Sequence, residues 1–289
     1  MALDTAERLR QLSGVIGGES DMATAAADAG GAHVSIERVF GRAFGTIRAN
    51  PVATLGISFL FSAVPTVALN LAVQGRQAEL LVRVGAWGLI GFGIAMVVAG
   101  IVISAITQGA LVRATAAHSR GRESSFVESV SAGLAVVIPL FLTSLLAALG
   151  IGAAMILLIV PGIMLYCAWV VATPAVVEER LWPFAALGRS SDLTRGARWK
   201  VFAILLILLV CYWVLSAVVA AVSMQFSGGM QAFTAMNRSG QLPIAFLVVS
   251  GVVQTIVACV WGVCISSLYI ELRDWKDGPP SEALAEVFA

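Results

Sequence analysis

Between Glu128 and Glu178 the chain runs for 49 consecutive residues without an Asp, Glu, Lys or Arg. In a soluble domain about a quarter of the residues carry charge, so an uncharged stretch of that length is foreign to it. A bilayer, by contrast, demands about 20 such residues for each crossing. Further uncharged runs cover 49–75, 84–112, 201–237 and 239–270, in a chain of 289 residues that is 59% hydrophobic and 12% charged. The reading is an all-α, polytopic membrane bundle. The 129–177 run is long enough for two spans, with Leu149-Gly150-Ile151-Gly152 as the expected tight turn between them. Six spans result, at about 51–74, 84–112, 129–148, 152–177, 200–224 and 242–270. They occupy a domain of residues 35–278, between an N-terminal segment (1–34) expected to be a flexible tail and a short tail (279–289).

The Lys and Arg residues are distributed unevenly over the connections. Fifteen lie before span one, between spans two and three, between four and five, or after span six, and only Arg76, Arg83 and Arg238 lie on the other side. Cytoplasmic segments retain positive charge, so both termini are expected in the cytoplasm. The first 30 residues contain no apolar run suited to a signal-peptide core, and the expectation is an uncleaved cell (inner) membrane protein of a bacterial type. A net charge of +1 offers no basic field for nucleic acid.

Three amphipathic stretches precede the odd-numbered spans. Val39–Asn50 (VFGRAFGTIRAN), Phe126–Leu134 (FVESVSAGL) and Pro183–Arg198 (PFAALGRSSDLTRGAR) each read as a helix running along the cytoplasmic surface. Together they point to three repeats of surface helix plus transmembrane hairpin. Gly85, Gly88, Gly91, Gly93 and Gly100 line span two, and small residues permit close helix approach in lipid, so this span is expected inside the bundle. Pro161-Gly162 falls in the middle of span four and is expected to kink it, first as packing geometry and second as a hinge or lipid-facing opening.

Chemistry-bearing residues are sparse. The spans hold no Asp, Glu, His or Arg of the kind ion-coupled transporters bury. Ser104, Thr107 and Gln108 in span two and Gln254 and Thr255 in span six read first as interhelical hydrogen-bonding groups and second as a substrate path. Cys167, Cys211, Cys259 and Cys264 lie in spans as small apolar residues. His33 and His118 stand in no metal-binding spacing, so neither a metal nor another cofactor is expected. The densest polar cluster is 178–200. There Glu179 is placed to pair with Arg189 or Arg195, Ser190, Ser191 and Asp192 to cap helix ends, and Arg189, Arg195 and Arg198 to meet lipid phosphates; a structural clamp is the first reading and headgroup binding the second.

Pro161-Gly162-Ile163, Trp169, Pro174, Glu179, Pro183, Ala186-Leu187, Arg189-Ser190, Leu193-Thr194, Gly196, Trp199 and Phe202, with the closing Leu268-Tyr269-Ile270-Glu271-Leu272-Arg273 and Lys276-Asp277-Gly278, form a connected pattern. It resembles the signature of the glycerophosphoryl diester phosphodiesterase membrane-domain family and the related YciC-like inner-membrane proteins, over about residues 35–278. The resemblance implies a six-helix membrane module, which in some members is fused to a soluble phosphodiesterase domain. Eleven residues follow Gly278 here, so the membrane module alone is expected and the enzymatic name is not carried over. Gly188 stands where many relatives have a basic residue.

The leading functional expectation is a non-enzymatic membrane protein that engages lipids, and either a membrane-protein partner or further copies of itself, in envelope homeostasis. The alternative is a transporter or channel for lipids or other hydrophobic molecules, with the Ser227–Gly240 loop and the kinked span four as its gate. A membrane enzyme of lipid metabolism ranks third, because converging nucleophiles and carboxylates are lacking in the spans.

Overall fold

The computed structural model describes residues 34–73, 77–119, 129, 131, 134–226 and 244–278. Among them every regular element is helical. Six helices among the described residues are long and apolar enough to cross a membrane: Pro51–Leu71, Ile90–His118, Val137–Leu157, Ile159–Glu179, Arg198–Val222 and Phe246–Asp277. The chain is a multi-pass membrane protein by that measure, since helices are the one open-chain structure that satisfies every backbone polar group in hydrocarbon. The contacts divide the described residues into a unit of Ile36–Ile270 and a small one that holds Val34 and Ser35 with Glu271–Gly278. In the small unit the Ser35 backbone N–H donates to Glu271 Oε1 at 3.2 Å, and the Lys276 ammonium lies 4.9 Å from the Trp275 ring centre.

Helix α1 (Ile36–Ala49) buries Val39, Ala43 and Thr46, a stripe spaced four and three residues apart. Phe44, in the same amphipathic stretch, is exposed. Asn50 then accepts from the Ala53 N–H at 3.2 Å, with Pro51 at the first helical position, and starts span one. Span one is α2 (Pro51–Ser58), a π-helical turn (Phe59–Ala63) and α3 (Val64–Val73). Span two lies in α4 (Gln77–Ser119), which Gly85 interrupts with φ 66° and ψ 178°.

Spans three and four depart from expectation in an instructive way. The Leu149–Gly152 segment is continuous helix inside α5 (Val137–Leu157), and the chain turns at Leu158, whose φ of −159° and ψ of 132° are extended. Glycines do not end a helix where no water can take over the freed backbone groups. Proline does: the Pro161 ring would clash with the carbonyl of Leu157, four residues back, so α5 stops there and α6 (Ile159–Trp169) begins with Pro161 in its first turn. Pro161-Gly162 is therefore no mid-span kink. Gly162 instead permits the hairpin, because a Cβ there would come within 2.3 Å of Met155 Cγ and 2.9 Å of its Cα. The bend in span four lies at Val170–Val171, between α6 and α7 (Ala172–Glu179). Arg180, at φ 50°, and Trp182 then lead into α8 (Pro183–Thr194), Gly196 at φ 92° turns the chain, and α9 (Arg198–Phe226) and α10 (Ile244–Asp277) supply spans five and six.

Burial is concentrated where Pro51, His118, Val137, Glu179 and Arg198 end the spans, the basic end. Ala105, Val112, Leu140, Val176, Val177 and Ala186 form one cluster there, drawn from spans two, three and four and from α8. Every residue from Gly262 to Ile270 is buried, which marks this part of α10 as a helix enclosed on all sides. Span two is enclosed only in its half near His118. Its glycines at 91, 93 and 100 have nothing within 4 Å of a would-be Cβ, so they do not carry the span into the bundle as expected. Toward the hairpin tip the side chains are open, with Ile156 at 89% exposure, as hydrocarbon rather than protein solvates them.

Surface helices before spans one and five are present as α1 and α8. The expected one at 126–134 falls largely outside the described residues, as do the 1–33 tail, the 227–240 loop and the 279–289 tail.

Gly162→Ala is expected to cost about 1–3 kcal/mol through overpacking, read as a lower unfolding midpoint in detergent. Pro161→Ala, in the first turn, is expected to shift stability by less than about 1 kcal/mol, and Gly188→Ala, with open space around it, to be neutral or stabilising. A larger loss for Pro161→Ala than for Gly162→Ala would contradict the placement of the turn.

Candidate functional site

The polar cluster at the basic end is organised by Glu179, the last residue of α7. Both its carboxylate oxygens accept from Arg189 Nε on α8, each at 3.0 Å, and Oε1 also accepts from the Tyr269 hydroxyl on α10 at 2.7 Å. Tyr269 is fully buried, so its phenol delivers one polar atom to the carboxylate through an otherwise apolar helix face. One carboxylate thus ties together span four, the surface helix and span six. Burial of most of the pair, with side-chain exposures of 28% and 25%, makes it stronger than a surface ion pair while leaving it reachable by water.

A second pair reinforces the first. Glu178 on α7 stands 3.9 Å from Arg113 Nη1 near the end of α4, which explains why span two continues past an arginine to His118. Ser190 does not cap a helix end as expected. Its hydroxyl donates to the Ala168 carbonyl at 2.7 Å, two residues before the bend in span four, and so docks α8 on α6, while Thr194 gives its proton to the Ser190 carbonyl at 2.9 Å and lies 3.4 Å from the Ala168 oxygen. Span four bends at Val170–Val171 and α8 fills the resulting angle with Ala186, Leu187, Leu193 and these two hydroxyls.

The expected site residues therefore separate. Glu179 and Arg189 meet in the clamp. Arg195 follows α8 directly and is exposed. Arg198 opens α9 beside a cavity of about 490 Å³ between α6 and α9. Val160, Ile163, Met164 and Phe202 wall it, Trp199 stands at its rim 84% exposed, and Arg198 Nε is buried there without a hydrogen-bond partner among the described residues. From Cys167 to Val160 the groove follows α6 for about 10 Å at 1.5 Å per residue. Pro161 and Gly162 shape the hairpin at its far end.

The chain matches no family model, no curated protein and no solved structure. What the site does must be read from its own geometry. Among the described residues no three or more His, Cys, Asp or Glu side chains gather as a metal site would require. The clamp residue that the residue-by-residue reading missed is Tyr269, visible in the sequence only within its closing pattern. A lone tyrosine inside an uncharged span is the signal that marks it, since a buried phenol needs a partner.

Tyr269→Phe is expected to destabilise the protein by about 1–2 kcal/mol, because it leaves the hydrogen bond to Glu179 unmade. A double-mutant cycle of Glu179→Ala with Arg189→Ala is expected to give a coupling on the order of 1 kcal/mol, whereas Glu179→Ala with Arg195→Ala is expected to be additive within about 0.5 kcal/mol. Coupling to Arg195 in place of Arg189, measured by thermal unfolding in detergent, would contradict this clamp.

Proposed function

We propose that the protein is a non-enzymatic, multi-pass bacterial inner-membrane protein, its termini in the cytoplasm, that holds anionic phospholipid at its basic end in membrane homeostasis. The observation that carries this reading is the groove between α6 and α9. It joins an apolar trough to a cationic mouth, Arg198 supplies a guanidinium with an unfilled donor, and Trp199 stands beside it with an exposed indole. That combination matches an acyl chain lying along Ile163 and Met164 with its phosphate at the guanidinium, which is charge-assisted and geometrically selective. Exposed Arg195 adds positive potential at the same level of the chain. Arg189 is engaged by Glu179, so the headgroup role passes to Arg195 and Arg198 and the clamp role to Arg189.

The arginine asymmetry supports the proposed orientation, with lipid held on the side where anionic headgroups face basic segments. The likeness to the glycerophosphoryl diester phosphodiesterase membrane-domain family belongs to the same proposal, as a likeness of membrane module alone. Association with a membrane partner or a second copy would use the apolar faces left open toward the hairpin tip.

The test is native mass spectrometry of the full chain released from micelles supplied with equal phosphatidylglycerol and phosphatidylcholine. Preferential retention of phosphatidylglycerol is expected, reduced about tenfold in Arg198→Ala/Trp199→Ala, the loss of one charge-assisted contact and one interfacial anchor. Equal retention of the two lipids, or no change in the variant, would overturn the reading.

A further inference from the structure

A second cavity, of about 490 Å³, lies between spans one, two and six, apart from the groove beside Arg198. Among the described residues no ionisable side chain lines it. Its polar groups are Ser62 and Thr66 from span one, Ser104, Thr107 and Gln108 from span two, and Gln254 from span six. Ser62 stands 11 residues after Pro51 and Ser104 14 residues after Ile90, so these groups sit near the middle of their spans, far from either water layer.

The hydrogen-bond inventory of the lining is unfinished. Gln254 Nε2 donates to Ser62 Oγ and Gln108 Nε2 to Ser104 Oγ, each at 3.2 Å. Thr66 and Thr107 spend their hydroxyl protons on carbonyls of their own helices, those of Ser62 and Ile103, at 2.8 Å each. Each amide keeps an oxygen and a second proton, each serine its own proton, and each threonine its lone pairs. Whichever way round the amides are drawn, a donor and an acceptor remain on each. Interhelical polar residues that serve only as packing glue close on one another. Here they face open volume, where an unmet amide in hydrocarbon costs several kcal/mol.

Local backbone supports a site at the same place. The π-helical turn Phe59–Ala63, closed by the Val64 N–H on the Phe59 carbonyl, carries both Phe61 and Ser62 into the lining. Such wide turns are rare and recur at functional positions. The lining is also graded along span two. Gln108, Thr107 and Ser104 form a polar end, and Gly100, Ala99 and Met96 continue it as an apolar channel, over about 18 Å at 1.5 Å per residue.

We infer that this cavity is a binding site for a neutral amphipath with a hydroxyl-bearing head and a hydrocarbon tail. The head would lie among Ser62, Ser104, Gln108 and Gln254 and the tail along Met96. Hydroxyls donate and accept at once, as the mixed lining requires. A charged head would be desolvated with no counter-charge to meet it. The volume falls within the ~300–1,000 Å³ common to small-molecule sites. The inference is independent of the phospholipid groove and stands or falls separately from it.

The experiment uses the full chain in nanodiscs with a monoacylglycerol carrying a diazirine in its acyl chain, and a phosphatidic acid bearing the same diazirine as the charged comparison. After irradiation, adducts are mapped by peptide mass spectrometry. Monoacylglycerol adducts are expected to concentrate on spans one, two and six around Met96 and Leu69. Their yield is expected to fall about tenfold in Gln108→Leu/Gln254→Leu and to be unchanged in Arg198→Ala. Gly100→Leu, which fills open space and leaves every polar group in place, is expected to lower the yield similarly and decides the matter if the double variant fails to fold. Adducts spread evenly over lipid-facing helices, equal labelling by phosphatidic acid, or a yield unmoved by Gly100→Leu would overturn the inference.

Discussion

In hydrocarbon a backbone amide has nothing to bond to except another group of the protein, and this requirement governs the molecule from its spans to its polar sites. It keeps α5 helical through Gly150 and Gly152, where a water-exposed chain would have turned. It yields only at Pro161, whose ring removes the carbonyl-side space a continuing helix needs, and so sets the hairpin turn at Leu158. The same rule explains how the bend at Val170–Val171 is tolerated. The Ala168 carbonyl beside it receives the Ser190 hydroxyl, and the surface helix α8 is docked by the very group that repairs the bend.

Charges are held to the same accounting. Glu179 is met by Arg189 and Tyr269, and Glu178 stands beside Arg113, so the carboxylates at the end of span four hold helices together at the basic end. That end is where burial is dense, and the opposite end leaves large apolar side chains to the lipid. A rigid, cross-tied end beside an open one places the groove at Arg198 and the uncharged cavity around Gln254 at the boundary between packed protein and lipid-solvated helix.

The number of spans was legible because a single physical quantity, the length of chain without charge, decides it. The Glu179–Arg189 contact was legible because the two residues lie ten apart across a turn marked by Pro183. Span boundaries were harder to read. Charge-free length stops at Arg113, yet Glu178 beside that arginine lets the helix run on, a contact between positions 65 apart in sequence. The turn at Leu158 was misplaced because glycine and proline carry different weight in hydrocarbon than in water. Gly91, Gly93 and Gly100 suggested close packing, yet nothing lies near them, since small residues permit an approach without compelling one. Convergence of Ser62, Gln108 and Gln254 on one cavity was invisible in the sequence, where each is an isolated polar residue in an apolar run.

The central claim is that hydrocarbon, not protein or water, surrounds the exposed apolar side chains of the spans. It is tested most directly by spin labels placed singly at Ile94, Val97, Leu209 and Val210, all exposed, in a chain lacking its four native cysteines and reconstituted in bilayers. Relaxation by dissolved oxygen should exceed relaxation by a water-soluble nickel chelate at all four sites. Stronger relaxation by nickel than by oxygen at these positions would mean that water reaches them, and the membrane-spanning account would be wrong.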